Sequence, residues 1–277
     1  MIRRVFRPTD LARLWPLLAD GALAMAGGTD LLVRRRGQAA VDVALLEGIG
    51  ELAEIAAMRT GLVRLGAMAS HSALAASRLV TARLPVLARA LLALGSPQIR
   101  AMGTLGGNIA TASPAGDSLP PLYALDALVE LASRHGRRRV PLAEVILGPS
   151  RTALSPGEII AAVLVRPPVS GSLQHFEKVG RRSALAIAVA SLAAVIETDA
   201  AGRVASARLA VGSLGPTVLR CPAAEAALAG QRLTPDVLQQ AAGHIRAAVS
   251  PIDDIRATAA YRRQVAGNLL LRLAAGE

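Results

Sequence analysis

The sequence predicts an α+β protein built from more than one subdomain, and three observations lead there. At 277 residues the chain buries a sizeable core yet runs to about twice the usual single-domain length, so two or three subdomains are expected. Up to Pro167-Pro168, short apolar runs alternate with helical periodicity; beyond that break two strand patterns come first and helices fill the rest. Apolar residues make up 52% of the chain and aromatics only 2%, a composition of Ala/Leu-rich helices in a soluble fold. No repeat of fixed period and no low-complexity linker interrupts it.

In chain order, a first section (1–57) holds an apolar run "ALAMA", the pair Gly27-Gly28, a short helix in "TDLLVRR", a second apolar run "AAVDVALL" and a helix in "GELAEIAA". The strand "GLVRLGAM" opens a second section (58–168), followed by helical periodicity through "SALAASRLV" and "LPVLARALLALG". There "LVELASRHGRRRVPL" is a hairpin signal, two apolar runs flanking a turn at His135 and Gly136. In the last section (169–277), "ALAIAVASLAAVIETDAAGRVASARLAVGSL" reads as two strands joined by a turn from Asp199 to Gly202, and helices follow.

A net charge of +11 points first to nucleic acid or an anionic surface. The basic residues are scattered, however, and all but Lys178 are Arg, the mark of composition bias rather than of a patch. Phe6, Trp15, Tyr123, Phe176 and Tyr261 are too dispersed to stack bases, so no nucleic-acid partner is expected. Arg3 and Arg4 before Phe6 loosely resemble an export signal, but Pro8, Asp10 and Arg13 interrupt the place of its apolar segment. A cytoplasmic location is expected. The longest apolar run, Ala184 to Ile196, is too short to span a bilayer. One cysteine, Cys221, excludes an internal disulfide and any iron–sulfur cluster held by this chain's own thiolates. His71, His135, His175 and His244 stand apart in sequence without metal-ligand or triad spacing. Chemistry in this chain would therefore come from a cofactor.

Two glycine loops are the sites for one. In "AGGTD", glycines permit φ > 0 and leave no Cβ against a ligand, while Thr29 or Asp30 can cap the helix that follows. Such a loop offers backbone N–H groups to an anion. In "GTLGGNIATASPAGD", Gly103, Gly106 and Gly107 are expected to expose further N–H groups, with Thr104, Asn108, Thr111 and Ser113 adding short polar side chains. Asp117 repels a phosphate but suits a ribityl or ribose hydroxyl. Two anion loops and one carboxylate describe a dinucleotide site, although neither loop is a G-x-G-x-x-G or ends as a P-loop does.

"AGGTDLL", "SPQIRAMGTLGGNIATASPAGD", "LSPGEII", "FEKVGRR" and "DDIRATAAYRR" together resemble the FAD-binding medium subunit of the molybdenum hydroxylases, the family of carbon monoxide dehydrogenase medium subunits and of the flavin domain of xanthine dehydrogenases. The resemblance covers essentially the whole chain in one order. It implies a two-subdomain FAD-binding domain of the PCMH/vanillyl-alcohol-oxidase-like type and a smaller C-terminal α+β domain of antiparallel sheet plus helices. It implies an oxidoreductase subunit without catalytic side chains or metal ligands of its own, which takes electrons from the [2Fe-2S] clusters of a small subunit and hands them to an external acceptor such as NAD or a quinone. A large molybdopterin subunit completes the implied assembly, a dimer of heterotrimers. It places the FAD diphosphate on Ala26, Gly27, Gly28, Thr29, Asp30 and Leu31, with Thr104, Gly106, Gly107 and Asn108 completing the cradle. The flavin-side hydroxyls fall to Asp117, an apolar contact to Ile160 and a basic contact to Lys178. Leu94 stands where xanthine dehydrogenases carry a Phe near the flavin, which leaves aromatic packing of the ring in doubt. A stand-alone flavin reductase and a basic nucleic-acid-binding protein are the alternatives.

Overall fold

In the computed structural model, which describes residues 2–182 and 184–275, the first strands pair in parallel. β1 (Ile2–Phe6), α1 (Leu11–Ala19), β2 (Leu23–Met25), α2 (Leu31–Arg34) and β3 (Val41–Leu45) follow in order, and the strands lie as β1-β3-β2. Asp10 starts α1 by accepting the Arg13 N–H at 2.8 Å. The helix buries Leu14 against Ala22, Ala44, Leu46, Ile49 and Leu52. The twin arginines lie within β1, and both guanidinia pair with Asp42 on β3.

The helix expected in "GELAEIAA" does not form. Gly50–Leu52 make one 3₁₀ turn, and β4 (Ile55–Ala57) pairs antiparallel with β5 (Val63–Gly66). A single turn of helix fixes many dihedrals for one hydrogen bond, whereas the turn closed at Gly61, φ +81°, gives this segment a strand partner. Then come α3 (His71–Ala76), α4 (Arg78–Arg83), α5 (Pro85–Ala93), α6 (Pro97–Met102), α7 (Leu105–Thr111) and α8 (Leu119–Ala124). Ser70, Ser96 and Thr104 cap α3, α6 and α7, which cuts this stretch into short pieces. The predicted hairpin is β6 (Leu128–Ser133) and β7 (Gly136–Pro141). After α9 (Leu142–Val145) and the small hairpin β8 (Ile146–Gly148) and β9 (Arg151–Thr152), β10 (Ile159–Val165) completes an antiparallel sheet ordered β4-β5-β10-β6-β7.

β11 (Leu173–Val179), β12 (Ala190–Thr198), β13 (Val204–Gly212) and β14 (Leu219–Arg220) form an antiparallel meander. β12 and β13 join through the predicted turn, where Asp199 Oδ1 accepts the N–H groups of Ala201 and Arg203 and Gly202 takes φ +73°. α10 (Pro222–Leu228), α11 (Pro235–Ala248) and α12 (Ala259–Leu271) pack Leu228, Leu238, Ile245 and Leu269 onto Leu192, Ala194 and Ile196. α5 packs on β11 and α8 on β12 and β13. With helices on both faces, β12 is buried from Ala190 to Ile196, so its sequence is an unbroken apolar run rather than an alternation.

The contacts divide the chain into two units. One gathers residues up to Ser77, Ser96–Ala112 and Ala127–Arg166; the other gathers Arg78–Gly95, Ser113–Asp126 and the chain from Pro167 on. No helix among the described residues is long and apolar enough to cross a membrane.

Candidate functional site

The first glycine loop leaves the C-terminal end of a parallel strand, β2, the usual ligand side of such strands. Gly28 has φ +70°, a left-handed conformation that glycine adopts freely. Gly27 is required for a different reason: a Cβ there would stand 1.6 Å from the Met102 carbonyl oxygen and 2.6 Å from its carbon. The loop backbone thus lies directly on the end of α6. Among the described residues, the amides from Ala26 to Asp30 find no main-chain acceptor, and the loop is half-buried. These are donors left over by the fold.

Asp30 does not cap α2 through its side chain. Its carboxylate instead accepts the Thr111 hydroxyl at 3.1 Å and pairs with Arg34, which clasps the first loop to the end of α7. α2 spans four residues and α7 seven, so helix dipoles add little. Any anion held here is held by individual N–H groups.

The second loop departs from expectation. The Gly103 amide donates to Ile99 O at 2.6 Å and Gly106 to Ala67 O at 2.8 Å. Gly107 donates to the capping Thr104 Oγ1 at 3.1 Å. None of the three N–H groups is left exposed, because the start of α7 is built against residues 67–71. A Cβ on Gly106 would stand 2.6 Å from the Ala67 Cβ, and one on Gly103 would stand 2.8 Å from Ile99 O. These glycines serve backbone packing. Gly107 has more room: a Cβ would stand 3.0 Å from Thr104 Oγ1 and 3.8 Å from the Ala26 Cβ, and this approach brings the two loops together. Asn108 is half-buried on the next turn.

His71, scattered in sequence, lies under this loop. Its amide donates to Gly103 O at 3.0 Å, its ring borders Gly103, and its buried Nδ1 has no partner. Burial, helped by the Arg100 charge, pushes its pKa down to about 4, so the imidazole is neutral at physiological pH. Nothing in its sequence spacing marks it. Ile160, in the same unit, is buried in β10 between β5 and β6.

In the other unit, Lys178 on β11 donates from Nζ to Asp117 Oδ2 at 2.6 Å and to Ala186 O at 3.1 Å. Asp117 is buried, and its Oδ1 has no partner. Burial raises the Asp117 pKa to about 6 against the pull of the Lys178 ammonium. An oriented, solvent-shielded carboxylate oxygen is thereby left to accept from a hydroxyl. Leu94 ends α5 and is buried.

The family model of the FAD-binding domain in molybdopterin dehydrogenase matches residues 1–168, and that of the CO dehydrogenase flavoprotein C-terminal domain matches residues 174–275. The chain is 32% identical to the carbon monoxide dehydrogenase medium chain of Afipia carboxidovorans, over 95% of this chain and 91% of that one. It is 31% identical to the xanthine dehydrogenase FAD-binding subunit of Escherichia coli O157:H7, over 92% and 89%. Among solved structures, carbon monoxide dehydrogenase from Hydrogenophaga pseudoflava superposes with a TM-score of 0.92 at 32% identity, covering 98% of this chain and 96% of that one. Quinoline 2-oxidoreductase from Pseudomonas putida 86 gives the same TM-score at 25% identity, covering 99% and 96%.

Proposed function

This chain belongs to the family of FAD-binding domains of molybdopterin dehydrogenases, is an oxidoreductase subunit with FAD as its cofactor, and from that membership we propose that it is the electron-transfer subunit of a molybdenum hydroxylase. In this reading it accepts electrons from the [2Fe-2S] clusters of a small partner subunit, while a large molybdopterin subunit oxidises the substrate. It hands the electrons to an external acceptor, in a cytoplasmic dimer of heterotrimers. The three sections 1–57, 58–168 and 169–277 are its proposed functional parts.

The observation that carries the reading is the first loop: unengaged amides from Ala26 to Asp30, held against the second loop by a contact that a single Cβ at Gly27 would fill. Its residues fit a diphosphate. The amides from Gly27 to Leu31 donate to its oxygens, and Gly107 leaves space beside Ala26. Thr104, Gly106 and Asn108 hold α7 in place behind them. The partnerless Oδ1 of Asp117 accepts a sugar or ribityl hydroxyl, and Lys178 favours the ionised form that does so. Leu94 and Ile160 supply apolar contact. Bound FAD supplies reversible redox chemistry at its ring; the protein positions it and excludes water. With one cysteine in the sequence, four-thiolate clusters must come from other chains.

The test is reconstitution. The chain alone, containing FAD, should reduce a dye only from an artificial reductant, and substrate-dependent reduction should appear on adding the metal-containing subunits. Substrate-dependent dye reduction by a metal-free preparation would overturn the subunit assignment in favour of a stand-alone flavoenzyme.

A further inference from the structure

Lys178 on β11, Ser191 on β12 and Gly212 on β13 stand opposite one another in one row across the sheet. Residues paired in this way share a face, and the segment from Pro114 to Pro120, which carries Asp117, is seated on that face. A Cβ on Gly212 would stand 2.6 Å from Ser191 Oγ and 2.8 Å from Pro120 Cγ, while Lys178 Nζ reaches Asp117. The seating of the segment on this row therefore decides how the Asp117 carboxylate meets Lys178 and where its partnerless Oδ1 points.

The row lies where the β12–β13 pair ends, since β12 begins at Ala190 and β13 stops at Gly212. One side chain closes that end. Arg262 on α12, only 3% exposed, donates from Nη1 to Val189 O at 2.8 Å and to Ser213 O at 3.3 Å. Ser213 takes φ +64°, and its amide donates to Pro114 O at 2.9 Å; the Val189 amide donates at 2.7 Å to the carbonyl of Val179, the neighbour of Lys178. One guanidinium thus holds the strand beside Lys178 and, through a single residue, the segment of Asp117. It is fixed in turn by Asp254, whose Oδ1 accepts from Arg262 Nη2 at 2.6 Å and from the amides of Arg256 at 2.7 Å and Ala257 at 3.3 Å. Those amides and guanidinia hold the Asp254 carboxyl well below the usual carboxylate range.

A buried guanidinium is costly to desolvate, one ion pair seldom repays that cost, and the Nε of Arg262 is left without a partner. What the charge supplies is a fixed geometry. We propose that Arg262, locked by Asp254, is a positioning residue of the flavin-hydroxyl site, holding the Asp117 segment in register with Lys178 across the open end of the sheet. The inference rests on the placing of a flavin hydroxyl on Asp117 and adds to it the residues that act through the backbone.

The test is non-additivity. FAD is titrated into the flavin-free full chain and followed by flavin fluorescence, beside the melting midpoint. Arg262→Lys keeps the charge but replaces a planar fork by a single ammonium; Asp254→Asn keeps the volume and removes the counter-charge. The first should weaken FAD roughly tenfold and the second about fivefold, yet both by less than about twofold in an Asp117→Ala background, where no carboxylate remains to be positioned. Ile245→Val, which trims the core that α11 makes with the same sheet, should lower the melting midpoint and leave FAD affinity unchanged. Equal losses with and without the Asp117 carboxylate, unchanged affinity in both Arg262→Lys and Asp254→Asn, or a like loss in Ile245→Val would each overturn the proposal, the first and last by reducing Arg262 to a stabilising staple. Should Arg262→Lys not fold, Asp254→Asn decides the comparison. Wild-type FAD affinity in Asp117→Ala itself would fail the flavin-hydroxyl reading, and the proposal with it.

Discussion

Gly27→Ala changes one hydrogen to a methyl group, and the structure sets the size of the effect. The new carbon would stand 1.6 Å from Met102 O, 2.6 Å from Met102 C and 3.3 Å from Gly103 N. All three are backbone atoms, so no rotamer relieves the clash, and reaching ordinary contact needs about 1.5 to 2 Å of separation between the first loop and the end of α6. Overpacking of this kind destabilises by roughly 1 to 3 kcal/mol. FAD retention should suffer more than stability. Loss of a single amide-to-phosphate hydrogen bond weakens binding by about 1.5 to 3 kcal/mol, or roughly ten- to a hundred-fold, and a displaced loop loses more than one. Gly107→Ala is the control, because its methyl would meet Thr104 Oγ1 at 3.0 Å and otherwise open space toward Ala26. The assay is FAD per chain after gel filtration, read by absorbance, beside the melting midpoint of the FAD-free form. Gly27→Ala should emerge almost colourless and Gly107→Ala largely yellow. Equal FAD in the two variants would refute the argument that the Gly27 contact shapes the diphosphate loop.

Gly107→Asp should also abolish FAD retention, through a negative charge beside the diphosphate worth about 1 to 4 kcal/mol of repulsion. Asp117→Asn should be milder because its amide oxygen still accepts from a hydroxyl; equal loss of flavin in the two would contradict the separate roles. In the FAD-free chain, ionising Asp117, with its folded pKa raised to about 6, removes stability that is full below about pH 4 and lost as pH rises through about 6, by up to about 3 kcal/mol for two units. His71, with its pKa lowered to about 4, has the opposite sign: its contribution is full above about pH 6.5 and lost as pH falls toward 4. Chemical unfolding from pH 4 to 7 should therefore show a steeper rise of stability with pH in Asp117→Asn and a shallower one in His71→Gln; identical slopes in the wild type and both variants would refute the assignment. The cofactor should be bound without a covalent link, since neither glycine loop holds a His or Cys, and acid precipitation should leave all of it in the supernatant as FAD; flavin in the pellet, or FMN in solution, would contradict the diphosphate site.

Much of the fold is written in local patterns. The β12–β13 hairpin follows from apolar runs around a Gly-bearing turn, the β6–β7 hairpin from one apolar run and its turn, since β7 carries Arg137, Arg138 and Arg139 and is mostly exposed, and the short helices α3, α6 and α7 from Ser and Thr caps. The "GELAEIAA" segment reads as helix because its helix-favouring residues are local, while its strand partner at Val63–Leu65 is a tertiary fact. The glycines of both loops stand out in the sequence, but their reasons do not. Gly27 answers to a carbonyl at Met102, and Gly106 to a methyl at Ala67, neither of which has any signature near the glycine itself. The same holds for Asp30, whose position predicts a cap and whose carboxylate instead reaches Thr111. Lys178 is conspicuous as the only lysine, yet its ion pair with Asp117 joins positions 61 apart in the chain. Residue type marks these positions; what each one touches is set by topology.

The interleaved division of the chain bears on how the protein is made. α5 buries Val86, Leu87, Ala90 and Leu91 in the unit whose sheet begins only at β11. A ribosome working at about 5 to 20 residues per second needs roughly 4 to 16 seconds to add the intervening stretch of roughly 80 residues. During that interval the apolar side of α5 is a nascent surface with no sheet to cover it, a natural substrate for a holding chaperone. The same threading means that a fragment cut after Pro168, although it contains the whole FAD-binding family match, leaves α5 and α8 without β11, β12 and β13. The first unit has all of its chain once Arg166 is made, whereas the second waits for the C-terminal strands to cover helices synthesised long before.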